Sequence, residues 1–143
     1  MKGVKDLILD ESPKNVQKLE KLLSKAPGSE TYFEALKEEA QRPSAQEFPK
    51  FRMMVTDSYL CFSRIGIGGA LIIVPISQIT AIYRTNVVRG EYDFNNVTLA
   101  VETGKDLRYM SVYPRTSAKS LDVFNEVIEA VRTRMAVNGG ALS

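Results

Sequence analysis

The 143-residue chain contains no histidine and no tryptophan, and it contains a single cysteine. Without imidazole, the chain cannot build a histidine-ligated metal site or a nucleophile–histidine triad from its own residues. The lone thiol of Cys61 cannot form an internal disulfide, and its position in an apolar run favours a buried side chain over a nucleophile. The sequence therefore predicts a protein that is not an enzyme and that holds no cofactor and no metal ion.

Long hydrophobic runs and a large excess of charge are also missing. The longest uncharged apolar stretch, residues 65–76, has 12 residues, whereas a membrane-spanning helix needs about 20. Asp10 and Glu11 follow Leu7-Ile8-Leu9 too closely to leave a signal-peptide core, so we expect a cytoplasmic protein. The net charge of +2 is small for a protein that binds a polyanion, so we expect no nucleic-acid partner.

Residues 12–42 have the pattern of two short helices. Ser12-Pro13 is typical of a helix start, Pro27-Gly28 separates the two helices, and Ser29 is positioned to cap the second one. Apolar residues follow at steps of three and four, namely Val16, Leu19, Leu22 and Leu23 in the first helix and Tyr32, Phe33, Leu36 and Ala40 in the second. The sequence therefore predicts a helical hairpin that lies on another part of the chain.

From Phe48 to Pro114 the apolar period changes from 3.6 residues to 2, with turn signals at Asp57-Ser58 and at Thr103-Gly104-Lys105. This pattern predicts seven short antiparallel strands. A final helix begins near Ser117, ends at residues 138–140 and carries one apolar stripe, formed by Leu121, Phe124, Ile128, Val131 and Met135.

Three segments resemble bacterial pleckstrin-homology-like and GRAM-like domains of unknown function: residues 55–62 (VTDSYLCF), 73–82 (IVPISQITAI) and 97–105 (VTLAVETGK). The resemblance implies an α+β fold, in which a seven-stranded antiparallel barrel of two nearly orthogonal sheets is closed by the C-terminal helix. We therefore expect an N-terminal helical extension over residues 1–47, the barrel with its closing helix over 48–138, and a frayed tail over 139–143.

No activity accompanies this resemblance, so our leading hypothesis is a non-enzymatic interaction module that presents a surface to a protein partner. The alternative is weak binding to an anionic membrane surface through the mildly basic strand region. An enzyme is the third hypothesis. The candidate binding residues are all cations: Lys50, Arg52, Arg84, Arg89 and Arg108. Because the turn Thr56-Asp57-Ser58 is short and acidic, we expect no preference for phosphoinositides.

Overall fold

The structure, a computed structural model, describes residues 3–26, 28–48, 52–64, 69–85, 87–88, 91–92, 98–104, 106–112 and 118–137. For residues 64, 87–88, 91–92, 98, 106–112 and 118–121 it describes the backbone alone. The chain divides into two compact units, Met1–Ile76 and Ser77–Ser143.

The first unit begins with three helices, α1 (Val4–Leu9), α2 (Pro13–Ser24) and α3 (Ser29–Ala40). The predicted hairpin corresponds to α2 and α3, with Pro13 in the first turn of α2 as expected. The predicted cap of α3 is wrong by one residue. Gly28 is the N-cap, with a φ of 91° that glycine adopts more easily than any other residue. The short helix α1 was not predicted.

The four strands of the first unit form one antiparallel sheet in the order β1-β2-β3-β4. They are β1 (Gln46–Phe48), β2 (Met53–Val55), β3 (Tyr59–Arg64) and β4 (Ala70–Pro75). The predicted turn at Asp57-Ser58 connects β2 to β3, as the register Val55–Leu60 requires. Gln46 and Glu47, which we placed in the N-terminal helical extension, belong to strand β1.

The core of the first unit lies between its helices and one face of this sheet. Met54 pairs with Cys61 and Cys61 pairs with Ile73, so these three side chains share a face and form a row across the strands. Both α2 and α3 pack against β4. The helices contribute buried apolar side chains to the same cluster: Val4, Ile8, Leu19, Leu23, Leu36 and Ala40. The helical hairpin is thus docked on the sheet, as its apolar stripes predict.

The described part of the second unit contains five strands and a long helix. The strands β5 (Ala81–Thr85), β8 (Thr98–Thr103) and β9 (Asp106–Val112) form an antiparallel sheet in the order β5-β8-β9, and β6 (Val87–Val88) pairs with β7 (Glu91–Tyr92). Helix α4 (Ala118–Val137) packs against β5. Its predicted stripe is buried at Phe124, Ile128, Val131 and Met135, while the Leu121 side chain is outside the described residues.

The predicted seven-stranded barrel closed by a helix is wrong. The described strands form separate sheets of four, three and two strands, and no strand ladder joins them into a barrel. One physical reason lies at β4, where the backbone N–H of Ile73 donates to the Ser29 hydroxyl at 3.0 Å instead of to a further strand. After β4, a 3₁₀ turn at Ile76–Gln78 interrupts the extended chain, and β5 pairs with β8.

Candidate functional site: a groove beside Arg52

A groove of about 170 Å³ opens on the surface of the first unit. Its volume equals that of about six molecules of liquid water, and it is below the usual range for sites that enclose a small-molecule ligand. The lining residues come from α1 and the residues on either side of it, from the first half of α2, from β3, and from the residue before β2: Gly3, Val4, Asp6, Leu7, Asp10, Asn15, Lys18, Arg52 and Ser63.

Helix α1 forms one wall of the groove and is held from both ends. At its start, the backbone N–H of Lys5 donates to the Glu47 carboxylate at 3.0 Å. At its end, the Asn15 side-chain amide donates to the carbonyl oxygens of Leu7 and Asp10, each at 2.7 Å. A six-residue helix is unstable alone in water, so these contacts and the buried residues of α1 keep the wall in place.

Gly3 brings the chain close to strand β1. A Cβ atom at this position would overlap the carboxylate of Glu47. The glycine therefore permits the approach of the start of α1 to Glu47, whose carboxylate also accepts the Lys5 hydrogen bond.

Arg52 lines the groove just before β2 and has an unusual backbone conformation. Its φ is 53°, and among the described residues the other positive values belong to Gly28 and Gly104. The left-handed region costs a residue with a Cβ about 1–2 kcal/mol. The Arg52 carbonyl accepts a hydrogen bond from the backbone N–H of Ser63 at 3.0 Å, which fixes this conformation at the start of β2. Strain of this kind is often found at functional sites.

The charges in the groove have both signs. Asp6 and Lys18 are exposed and Arg52 is half-buried, and within the described residues no hydrogen bond or ion pair engages these three side chains. Asp10 differs, because one of its carboxylate oxygens accepts the backbone N–H of Ser12 at 2.9 Å. The groove therefore offers two cations and one carboxylate that are available to a ligand.

Some charged side chains elsewhere on the first unit form ion pairs around α3. Lys37 contacts Glu11 at 2.8 Å, which lowers the pKa of the Glu11 carboxyl and raises the pKa of Lys37. Arg42 contacts Glu38 at 2.9 Å and Asp57 at 3.1 Å, and these hydrogen bonds raise the pKa of Arg42.

Of the five cations predicted as binding residues, the groove includes Arg52. Arg84 is exposed on β5, opposite Leu99 of β8, and Arg108 lies on β9 opposite Val101, with its side chain outside the described residues. Lys50 and Arg89 also lie outside the described part of the chain. The sequence analysis missed Asp6, Asn15 and Lys18, although the apolar residues Val4 and Ile8, four positions apart, indicate the helix that places Asp6.

Cys61 and Glu39 are the other chemically notable groups of the first unit. Burial raises the pKa of the Cys61 thiol far above its ordinary value, so the group stays protonated and is a poor nucleophile. Glu39 is 8% exposed, and its carboxylate accepts hydrogen bonds from Thr56 and Ser58. Both groups are enclosed in the packing of the unit and do not line the groove.

Among the residues that the structure describes, no group of three or more cysteine, aspartate or glutamate side chains is arranged to hold a metal ion. None of the helices described is both long enough and apolar enough to cross a bilayer.

Comparisons of the chain with protein-family models, with curated proteins and with solved structures gave no match. The resemblance to pleckstrin-homology-like domains therefore stays a prediction from the sequence.

Proposed function

We propose that the chain is a non-enzymatic binding module that receives a segment of a protein partner in the groove beside Arg52. The observation that carries this proposal is a groove whose lining brings together charges of both signs, Asp6, Lys18 and Arg52, with no ion pair to these side chains among the described residues. A groove lined by charges of both signs is complementary to another protein surface, on which both signs are interspersed.

The strain at Arg52 supports the same site. A glycine at this position would remove the penalty of the left-handed backbone, yet the chain has an arginine there. Arginine offers a planar set of donors that matches a carboxylate, and its long side chain is suited to the half-buried side of a groove. The penalty at Arg52 is therefore consistent with a binding role for its guanidinium group.

A protein partner fits the groove better than an anionic membrane or a nucleic acid. Asp6 and Asp10 lie beside the two cations in the lining, and their carboxylates repel phosphate groups. The two cations are thus not part of a purely basic patch, which polyphosphate surfaces require. The size of the groove suits the ends of protein side chains rather than a whole headgroup.

The proposal is tested with a random-peptide display library selected against the full chain. Peptides recovered from the library are synthesised, and their affinities for the wild-type chain are measured by fluorescence polarisation. The same titrations use the double variant Lys18→Gln/Arg52→Gln. The control is Arg84→Gln, which removes an exposed cation of the second unit. We expect weaker binding to the double variant and unchanged binding to the control.

Two results would overturn the proposal. The first is a set of selected peptides that bind the double variant as tightly as the wild type. The second is a library that yields no groove-dependent peptide; strong, salt-sensitive co-sedimentation with anionic vesicles would then favour the membrane alternative. Circular dichroism of each variant checks that a loss of binding does not reflect a loss of fold.

A further inference from the structure

We infer that the segment bound in the groove carries an acidic residue next to a basic residue, with the carboxylate meeting Arg52 and Lys18 and the cation meeting Asp6. This inference rests on the proposed function, because it names the chemistry of the partner at the same groove.

Not every hydrogen-bond donor that lines the groove is available to a ligand. The Asn15 amide donates to the carbonyl oxygens of Leu7 and Asp10, so both of its N–H groups are occupied by the chain itself. The side chains of Lys18 and Arg52 have no partner within the described residues. An acidic side chain of the ligand therefore finds its donors at Lys18 and Arg52, and the guanidinium can bind a carboxylate through two parallel hydrogen bonds.

The Asp6 carboxylate in the lining favours a cation on the ligand. A ligand with a carboxylate alone would leave Asp6 unpaired and would meet its repulsion, since Asp6 and Arg52 line the same groove. A ligand with a cation alone would face Lys18 and Arg52. Rejection of ligands with one sign of charge is a general source of specificity at charged interfaces. A neighbouring pair of opposite charges satisfies both sides.

The volume of the groove limits the ligand to a short element. About 170 Å³ accommodates the polar ends of two side chains, but it is too small for a folded element of the partner. The two charges must therefore be close together, as they are on residues that are adjacent in an extended peptide or one turn apart on a helix.

The test starts from peptides that need the groove, which are those that bind wild type more tightly than Lys18→Gln/Arg52→Gln. Each such peptide is made with its acidic residue changed to glutamine, and separately with its basic residue changed to glutamine. Both sets are titrated against the wild type, Arg52→Gln and Asp6→Asn. Because the groups are exposed or half-buried, we expect each single change to weaken binding about fivefold.

A double-mutant cycle then assigns the pairs. Removing the peptide's acidic group should have a smaller effect in Arg52→Gln than in the wild type, because Lys18 remains as a partner, and removing its basic group should have little further effect in Asp6→Asn. Groove-dependent peptides that lack one sign of charge, or that show no coupling to Arg52 and Asp6, would overturn this inference while leaving the proposed function intact. A library that yields no groove-dependent peptide would instead refute the proposed function.

Discussion

The carboxylate of Glu39, near the end of α3, accepts a hydrogen bond from the backbone N–H of Ser58 at 2.8 Å. The same oxygen accepts a second hydrogen bond, from the Thr56 hydroxyl at 2.7 Å. Both donors belong to the turn between β2 and β3. Arg42, which lies just after α3, binds Asp57 of the same turn. One buried acidic side chain thus fastens the last turn of α3 to the first hairpin of the sheet.

Replacing Glu39 by alanine should lower the free energy of unfolding by about 2–4 kcal/mol, because a buried hydroxyl and a backbone N–H would lose a charged acceptor. Urea unfolding followed by circular dichroism measures the change. The matched control is Glu38→Ala, which removes an exposed ion pair with Arg42 and should cost about 0.5 kcal/mol or less. Equal effects of the two substitutions would contradict the role assigned to Glu39.

Replacing Arg52 by glycine should separate stability from binding. Glycine relieves the left-handed backbone at a φ of 53°, so the variant should be as stable as the wild type or up to about 1 kcal/mol more stable. Binding of groove-dependent peptides should weaken about fivefold, because the guanidinium is lost.

The matched control for this experiment is Arg84→Gly, which places glycine in the exposed strand position of β5. There the backbone is extended, so we expect a loss of about 0.5–1 kcal/mol and no change in peptide binding. A clear destabilisation by Arg52→Gly in urea unfolding would show that the arginine side chain has a structural role at this position.

Much of the secondary structure follows from local patterns. The stripes that predict α2, α3 and α4 are long enough for the period of 3.6 residues to be visible, and Pro13 marks the start of α2. The turn at Asp57-Ser58 is also predicted correctly. These features depend on residues close together in sequence, so they are accessible without knowledge of tertiary contacts.

The arrangement of the strands depends on distant contacts and was not predicted. Met53, Met54 and Val55 of β2 are all fully buried, so alternation cannot indicate which face of the strand meets the helices. Ser29 has the pattern of a helix cap, but its hydroxyl lies at Ile73 of β4, 44 positions away. No local pattern shows that β4 meets a helix terminus there rather than a further strand.

Of the residues that line the candidate site, the sequence predicted Arg52 alone as a binding residue. Arg52 was selected as one of several cations on strands, but neither its left-handed backbone nor its neighbours in the groove have a local signature. Asp6 and Lys18 are typical of a solvated helix surface when considered singly. Their significance depends on the packing of α1 against α2, which the Asn15 side chain supports by two hydrogen bonds.

The buried thiol of Cys61 should make the protein sensitive to alkaline pH. Burial raises the pKa of Cys61 above the value of about 9 of an unfolded thiol, so the unfolded state loses this proton first as the pH rises. The contribution of the Cys61 thiol to the free energy of unfolding is fully present below pH 9. This contribution should fall by about 1.4 kcal/mol between pH 8 and pH 10. The burial that raises the pKa of Tyr59 adds to the loss only above its ordinary value of 10.0.

Urea unfolding of the wild type and of Cys61→Ala at both pH values measures this contribution. The alanine variant is less stable at either pH because a buried side chain is shortened, but its stability should depend less on pH. The same pH dependence in both proteins would show that the thiol ionises in the folded state. Reaction of Cys61 with a thiol reagent at neutral pH should require urea, which provides an independent check.

Phe124 and Val137 of α4 provide the last comparison, because they lie on one helix and differ in burial. Phe124 is fully buried, whereas Val137 is 83% exposed. Phe124→Ala should lower the free energy of unfolding by about 3–5 kcal/mol, because apolar contacts are lost and a cavity remains. Val137→Ala should change it by less than about 0.5 kcal/mol, since an exposed side chain loses little contact and alanine favours the helix.

If Phe124→Ala leaves the protein unfolded, Val127→Ala and Met135→Ala are milder substitutions of buried residues on the same helix. Thermal and urea unfolding of the full chain measure all four variants, and a small effect at every buried position would mean that α4 is not integral to the fold.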